Sequence, residues 1–204
     1  MRKLIIATKN KGKAKEFAYF FQRYEIEAIS LLDIEPHAPE VEETGTTFME
    51  NAALKAETIS KRYDKPVLAD DSGLIIDAID GRPGIFSARY AGEPKDDMKN
   101  MLKVLTELKD IPEERRTARF ICVLALAIPK QKTIFKIGYC EGRITMMEKG
   151  DNGFGYDPIF VPDGLTKTMA ELSSVEKSEI SHRKRAMDQL DEWLRNNNGE
   201  GFHA

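Results

Sequence analysis

Leu4-Ile5-Ile6-Ala7, then Thr8-Lys9-Asn10-Lys11-Gly12, then the run from Lys13 to Tyr24 is the stretch on which the fold turns. The four apolar residues make a short buried strand. Beyond the loop, Ala14, Phe17, Ala18, Phe21 and Tyr24 recur at the spacing that places them on one helical face. A strand entering an amphipathic helix through a polar, glycine-containing loop opens an α/β fold. Glu27 to Leu31 reads as a second strand, and Asp33 to Glu43 as an acidic, proline-containing, aperiodic loop. Thr47 and Glu50 form a capping-box pair ahead of a helix whose Phe48, Ala52, Ala56, Ile59 and Tyr63 share a face.

Pro66 to Ala69 predicts a short strand ending at Asp70-Asp71-Ser72-Gly73, with Leu74 to Ile79 extended before a turn at Asp80-Gly81. Arg82 to Gly92 is loop-rich. The spacing of Met98, Met101, Leu102, Leu105 and Leu108 predicts a helix over Asp96 to Leu108. Thr117 to Ile128 and Thr133 to Glu141 flank a Pro129-containing turn and read as a hairpin. Glycines punctuate Gly150 to Gly155, and a last helix runs from Ser181 to Arg195 with Met187, Leu190 and Trp193/Leu194 inward. Strands alternate with helices early and cluster as a hairpin later, so the sheet should mix parallel and antiparallel pairs.

The 204 residues carry 31 Lys plus Arg against 34 Asp plus Glu, a formal charge of −3, with 41% hydrophobic residues. That is the composition of a soluble globular chain with a sizeable core, and it excludes a general binder of nucleic acid or of membrane surfaces, which needs a basic excess. The longest apolar run, Phe120 to Ile128, falls far short of the ~20 residues that span a bilayer. The apolar stretch at the N-terminus is too short for a signal-peptide core, so the expected location is cytoplasmic. Cys122 and Cys140 match no metal or redox spacing, and Cys122 reads as core packing.

Chemistry gathers at a few points. Thr8, Asn10 and Gly12 stand at a helix N-terminus, where free N–H groups and the helix dipole favour an anion. Lys9, Lys11 and Lys13 crowd the same end against the dipole, which a bound phosphate would relieve; a solvated basic turn is the alternative. The same conflict recurs at Ser181-His182-Arg183-Lys184, with Ser181 as N-cap and Lys177 just upstream; there the alternative is a surface basic cluster. Glu42-Glu43 and Asp70-Asp71 are the carboxylate pairs, and magnesium is satisfied by one or two carboxylates completed by water and substrate phosphates. Adjacent strand residues point to opposite faces, so one member of each pair faces any given site. Phe154-Gly155-Tyr156-Asp157-Pro158 sets aromatics among glycines, either to stack on a base or to plug the core.

Together these segments resemble the inosine triphosphate pyrophosphatase family, also called Ham1-like. The motifs that carry the resemblance are Thr8-x-Asn10-x-x-Lys13, Glu42-Glu43-Thr44-Gly45-x-Thr47-Phe48-x-Glu50-Asn51-Ala52, Ala69-Asp70-Asp71-Ser72-Gly73-Leu74, Pro83-Gly84-Ile85-Phe86-Ser87-Ala88-Arg89-Tyr90, Phe154 to Pro158, and Ser181-His182-Arg183. Six motifs in register along nearly the whole chain make the resemblance specific. It implies an α/β fold as one elongated, two-lobed domain over residues 1–195, a central twisted mixed sheet flanked by helices, with 196–204 a polar tail. It also implies a cytoplasmic homodimer that hydrolyses ITP, dITP and XTP to the monophosphate and pyrophosphate with Mg²⁺, without nucleic-acid or membrane partners.

By motif match Asp71 would be the catalytic base and a metal ligand, with Glu42 the second metal carboxylate. Thr8, Lys9, Asn10, Lys11, Gly12 and Lys13 would hold phosphates and Ser72 would contact substrate. Phe154, Gly155, Tyr156 and Asp157 with Lys177, His182 and Arg183 would surround sugar and base. A nucleotide-binding regulator without turnover would use the same anion seats, but bare phosphate binding gains nothing from two added carboxylate pairs.

Overall fold

The computed structural model describes residues 2–8 and 10–197. Its frame is a six-stranded mixed sheet. In chain order the strands are β1 (Arg2–Ile6), β2 (Ile26–Ser30), β3 (Val67–Ile76), β4 (Thr117–Ala127), β5 (Ile134–Ile144) and β6 (Phe160–Pro162), arranged β2-β1-β3-β4-β5-β6. β1 runs parallel to both β2 and β3, while β5 and β6 are antiparallel. The helices are α1 (Lys11–Gln22), α2 (Leu31–Ile34), α3 (Phe48–Tyr63), α4 (Asp97–Glu107), α5 (Ser174–Ile180) and α6 (His182–Asn196). Two compact units divide the chain. The first comprises the described residues up to Asp71, Val123–Ile137 and those from Met187, and the second Ser72–Cys122 with Gly138–Ala186.

In the first unit β1 is buried at Leu4, Ile5 and Ile6, and α1 turns Ala14, Phe17, Phe20 and Phe21 inward. Each large apolar side chain so buried contributes ~1.5–3 kcal/mol relative to exposure. The capping box on α3 is present as expected: Thr47 accepts from the Glu50 N–H at 3.1 Å while Glu50 reaches back to the Thr47 N–H. In the second unit Leu74, Ile76, Met101, Val104, Leu108, Phe120 and Phe160 belong to one core cluster.

Several elements depart from the sequence reading. Asp70-Asp71-Ser72-Gly73 does not end a strand; β3 runs through it to Ile76, because Leu74 and Ile76 are buried beyond the pair and each carboxylate finds a lysine. The extended stretch expected up to Ile79 instead closes as a 3-10 turn over Asp77–Ile79. The acidic loop begins with the short α2, capped by the Ser30 hydroxyl on the Leu32 N–H. On α4 the inward face is Asn100, Met101 and Val104, so Met98 and Leu102 are left 57% and 46% exposed. The loop-rich Arg82 to Gly92 segment contains a 3-10 helix over Gly84–Arg89. Both β6 and α5 lie outside the predicted elements, although Ser173 and Glu176 form a capping box before α5. Lys9, and the polar tail beyond Asn197, lie outside the described residues.

Candidate active site

The N-terminal loop closes on itself at the start of α1. Asn10 is the N-cap, its Oδ1 accepting from the Gly12 N–H at 2.9 Å and the Lys13 N–H at 3.1 Å, and Thr8 Oγ1 accepts from the Asn10 N–H at 3.2 Å. Among the described residues α1 has no acid in its first turn, which holds Lys11 and Lys13. Lys13 finds its counter-charge elsewhere, with its Nζ 2.6 Å from Asp70 Oδ2 and the Asp70 side chain only 3% exposed.

The neighbouring carboxylate faces another partner, as the alternation of a strand requires. Asp71 Oδ1 lies 3.3 Å from Lys55 Nζ, and that ammonium also donates to Glu43 Oε1 at 2.9 Å. Asp71 Oδ2 is buried with no hydrogen-bond partner among the described residues. Burial pushes the Asp71 carboxyl up from 3.8 to about 6; Lys55 opposes that rise and Glu43 adds to it. Burial pulls the Lys55 ammonium down, but the carboxylates of Asp71, Glu43 and Asp70 outweigh it and hold its pKa above its ordinary value.

Glu42 is exposed, so it is Glu43 that shares a cation with Asp71. Lys55 was not among the residues the sequence singled out. Its signal was present: it stands three residues after Ala52 and just before Ala56, both fully buried on the inner face of α3. Ser72 follows Asp71 on β3 and is half-buried.

The raised Asp71 pKa fixes a sign. The folded protein holds the proton more tightly than the unfolded chain, so the contribution of Asp71 favours folding below its unfolded pKa and is lost as pH rises through about 6. In EDTA, the melting temperature of the wild type relative to Asp71→Asn is therefore expected to fall between about pH 4 and about pH 7. A difference that does not change with pH would contradict the assignment.

The other chemistry-bearing residues belong to the second unit. Phe154 is 61% exposed on its glycine loop, and Lys177 on α5 places its Nζ 4.7 Å from the centre of that ring. Lys177 is paired with the buried carboxylate of Asp157, whose Oδ2 also accepts from the Phe154 N–H at 2.8 Å. Gly153 leaves room for that carboxylate: a Cβ there, on backbone at φ +82°, would sit 2.2 Å from Asp157 Oδ2. Of the two readings of the aromatics, each residue takes one. Phe154 presents its ring, whereas Tyr156 is 5% exposed and donates its hydroxyl to the Ser87 carbonyl at 2.8 Å. Ser87 Oγ in turn accepts from the Leu74 N–H on β3 at 2.9 Å, and Asp97 at the start of α4 accepts from the Gly155 N–H at 3.1 Å. The loop is thus anchored on both sides of Phe154's neighbours.

Ser181 caps α6 as expected, accepting from the Lys184 N–H at 3.1 Å, and brings half-buried His182 and Arg183 to the helix start. The His182 ring stacks on Phe120 with centroids 5.2 Å apart and planes at 19°. Gly138 on β5 makes this placement available, because a Cβ there would lie 2.1 Å from the His182 carbonyl oxygen and 2.4 Å from the Ala186 nitrogen. Backbone cannot yield as a flexible side chain does. Gly138→Ala is expected to destabilise the fold by ~3 kcal/mol, a Tm loss of roughly 6–12 °C by thermal melting; an unchanged Tm would show that the strand and helix have room to separate.

A family model described as the Ham1 family matches residues 4–193. The chain belongs to the Ham1 family. Among its Ham1-family relatives, a dITP/XTP pyrophosphatase of Oceanobacillus iheyensis is 63% identical over 95% of this chain and 98% of its own. One of Halalkalibacterium halodurans, with the same name, is 59% identical over 95% of this chain and 100% of its own. The solved Ham1 protein of Staphylococcus aureus superposes with a TM-score of 0.91 at 43% identity, over 96% of this chain and all of that one. A HAM1 protein from Coxiella burnetii gives 0.90 at 40%, with the same coverage. The α/β fold with a mixed sheet is therefore that of the Ham1 structures. Among the described residues no helix is long and apolar enough to cross a membrane.

Proposed function

We infer that this Ham1-family chain is a nucleoside triphosphate pyrophosphatase that hydrolyses non-canonical purine nucleoside triphosphates, dITP, ITP and XTP, to the monophosphate and pyrophosphate. The observation that carries the reading is the pairing on β3 of two adjacent buried carboxylates, each matched to a lysine, with Asp71 Oδ2 buried and without a hydrogen-bond partner among the described residues. Cleaving a phosphoanhydride needs charge neutralisation and an oriented water more than covalent help, so no nucleophilic serine or cysteine is called for.

The residues fit a divalent cation. Mg²⁺ is content with one or two carboxylates when substrate phosphates and water complete its shell. Asp71 would hold it through the oxygen that now lacks a partner, together with a carboxylate of the Glu42-Glu43 pair. When bound, the ion supplies charge neutralisation on the phosphates. Asp71 accepts the proton of the attacking water. Thr8, Lys9, Asn10, Lys11, Gly12 and Lys13 hold phosphate oxygens, and Ser72 touches substrate. Phe154 offers a ring face to the base, Lys177 and Asp157 fix that ring's surroundings, and His182 and Arg183 supply donors. A homodimer acting in the cytoplasm on free nucleotides belongs to the same reading.

The reading is tested by resolving the products of dITP turnover by anion exchange. One monophosphate and one pyrophosphate per dITP are expected, with turnover abolished by EDTA and restored by excess Mg²⁺. Release of orthophosphate and the diphosphate would overturn it.

A further inference from the structure

Asp71 and Glu43, one from each carboxylate pair, already hold a cation of the chain's own. Lys55 Nζ lies 2.9 Å from Glu43 Oε1 and 3.3 Å from Asp71 Oδ1, with the three side chains 17%, 27% and 11% exposed. An ammonium is a compact point charge with three donors and no preferred plane. Two carboxylates brought around one such charge offer the same hard oxygens that a small divalent cation takes. Asp71 is engaged through Oδ1 only, and its buried Oδ2 is left without a partner among the described residues. The arrangement is therefore complete for neither occupant: the lysine neutralises the carboxylates but leaves an acceptor empty, and a second cation beside it would meet a like charge at short range in a poorly screened place.

We propose that Lys55 and the divalent cation are alternative partners of Asp71 and Glu43, Lys55 holding the carboxylates in the metal-free protein and withdrawing from them when the metal binds. This rests on the metal reading above. In the absence of metal, Lys55 keeps the buried carboxylates from facing one another uncompensated, a situation that strongly destabilises a fold. The same contact weakens metal affinity, since a metal ion that binds Asp71 and Glu43 does so against the Lys55 charge beside them.

Mn²⁺ binding to the nucleotide-free protein tests this, with free Mn²⁺ counted by electron paramagnetic resonance. Lys55→Gln is expected to bind Mn²⁺ at least ~10-fold more tightly than the wild type, because the competing charge is gone. Lys55→Arg, which keeps the charge, should stay within about threefold of the wild type. In EDTA, Lys55→Gln should melt below the wild type and gain more from added Mn²⁺ than the wild type does, as linkage to a tighter site requires. Binding to Lys55→Gln that is equal to or weaker than that of the wild type overturns the proposal, as does an Arg variant that binds as tightly as the Gln variant. Asp71→Asn separates the two readings: if it binds Mn²⁺ as well as the wild type, the metal does not sit on Asp71 and the underlying assignment fails, whereas loss of binding there with no gain in Lys55→Gln refutes only the competition. Should Lys55→Gln be unfolded in EDTA, Lys55→Met is carried through the same titration. Refolding of either variant on Mn²⁺ addition supports the proposal, and failure of both to refold overturns it.

Discussion

Asp71→Asn is expected to lower kcat for dITP by at least ~100-fold while leaving the protein folded. An amide cannot accept the proton of the attacking water, and it offers a metal no negative charge; positioned acid–base groups alone contribute ~100-fold or more. The stability side follows from the same geometry. Asp71 is buried, one oxygen without a partner among the described residues, and its carboxyl is pushed up to about 6, so at neutral pH its charge opposes folding, as carboxylates raised by burial do. Steady-state kinetics with dITP, alongside a far-UV melt at neutral pH, read both quantities. A folded variant retaining more than about a tenth of the wild-type kcat would remove Asp71 from the role of base.

The ratio of kcat/KM for ITP to that for ATP is expected to be at least ~100-fold in the wild type and to shrink in Arg183→Ala, mainly through weaker use of ITP. Hypoxanthine and xanthine carry a 6-oxo acceptor where adenine has a 6-amino donor. A donor aimed at that position is satisfied by the first two and left unpaired by the third, and an unpaired buried donor costs ~1–3 kcal/mol, with larger discrimination where several contacts are lost together. Arg183 is half-buried at the start of α6, behind the Ser181 cap and beside a His182 ring stacked on Phe120. That is a restrained place from which a donor can discriminate. Competition between ITP and ATP measures the ratio directly, and an unchanged ratio in Arg183→Ala would move base reading to another residue.

What was legible in the sequence follows from which interactions are local. The α3 capping box, the Ser181 cap and the Asn10 neighbourhood are contacts within a few residues, and each formed where the spacing placed it. Alternation on a strand was also enough to foresee that Asp70 and Asp71 would face different partners, as Lys13 and Lys55 now show. What escaped was decided at a distance. Lys55 lies 12 residues from Glu43 and 16 from Asp71, and only the fold brings the three together. β3 continued past the carboxylate pair because the lysines neutralise charges that, read alone, argued for a strand end. On α4 the apolar spacing permitted two neighbouring faces, and packing chose Met101 and Val104 over Met98 and Leu102. For α5 the signal was local and present in Ser173 and Glu176, but a seven-residue helix offers too short an apolar period to stand out.

Pyrophosphate release from deaminated purine triphosphates is read from one panel of substrates. ITP, dITP, XTP, ATP, GTP and the pyrimidine triphosphates are each incubated with the wild type and Mg²⁺, and pyrophosphate is scored separately from orthophosphate. Pyrophosphate is expected from ITP, dITP and XTP, with kcat/KM for these at least ~100-fold above that for ATP and little orthophosphate from any substrate. Equal turnover of ATP and ITP, or orthophosphate as the main product, would contradict it.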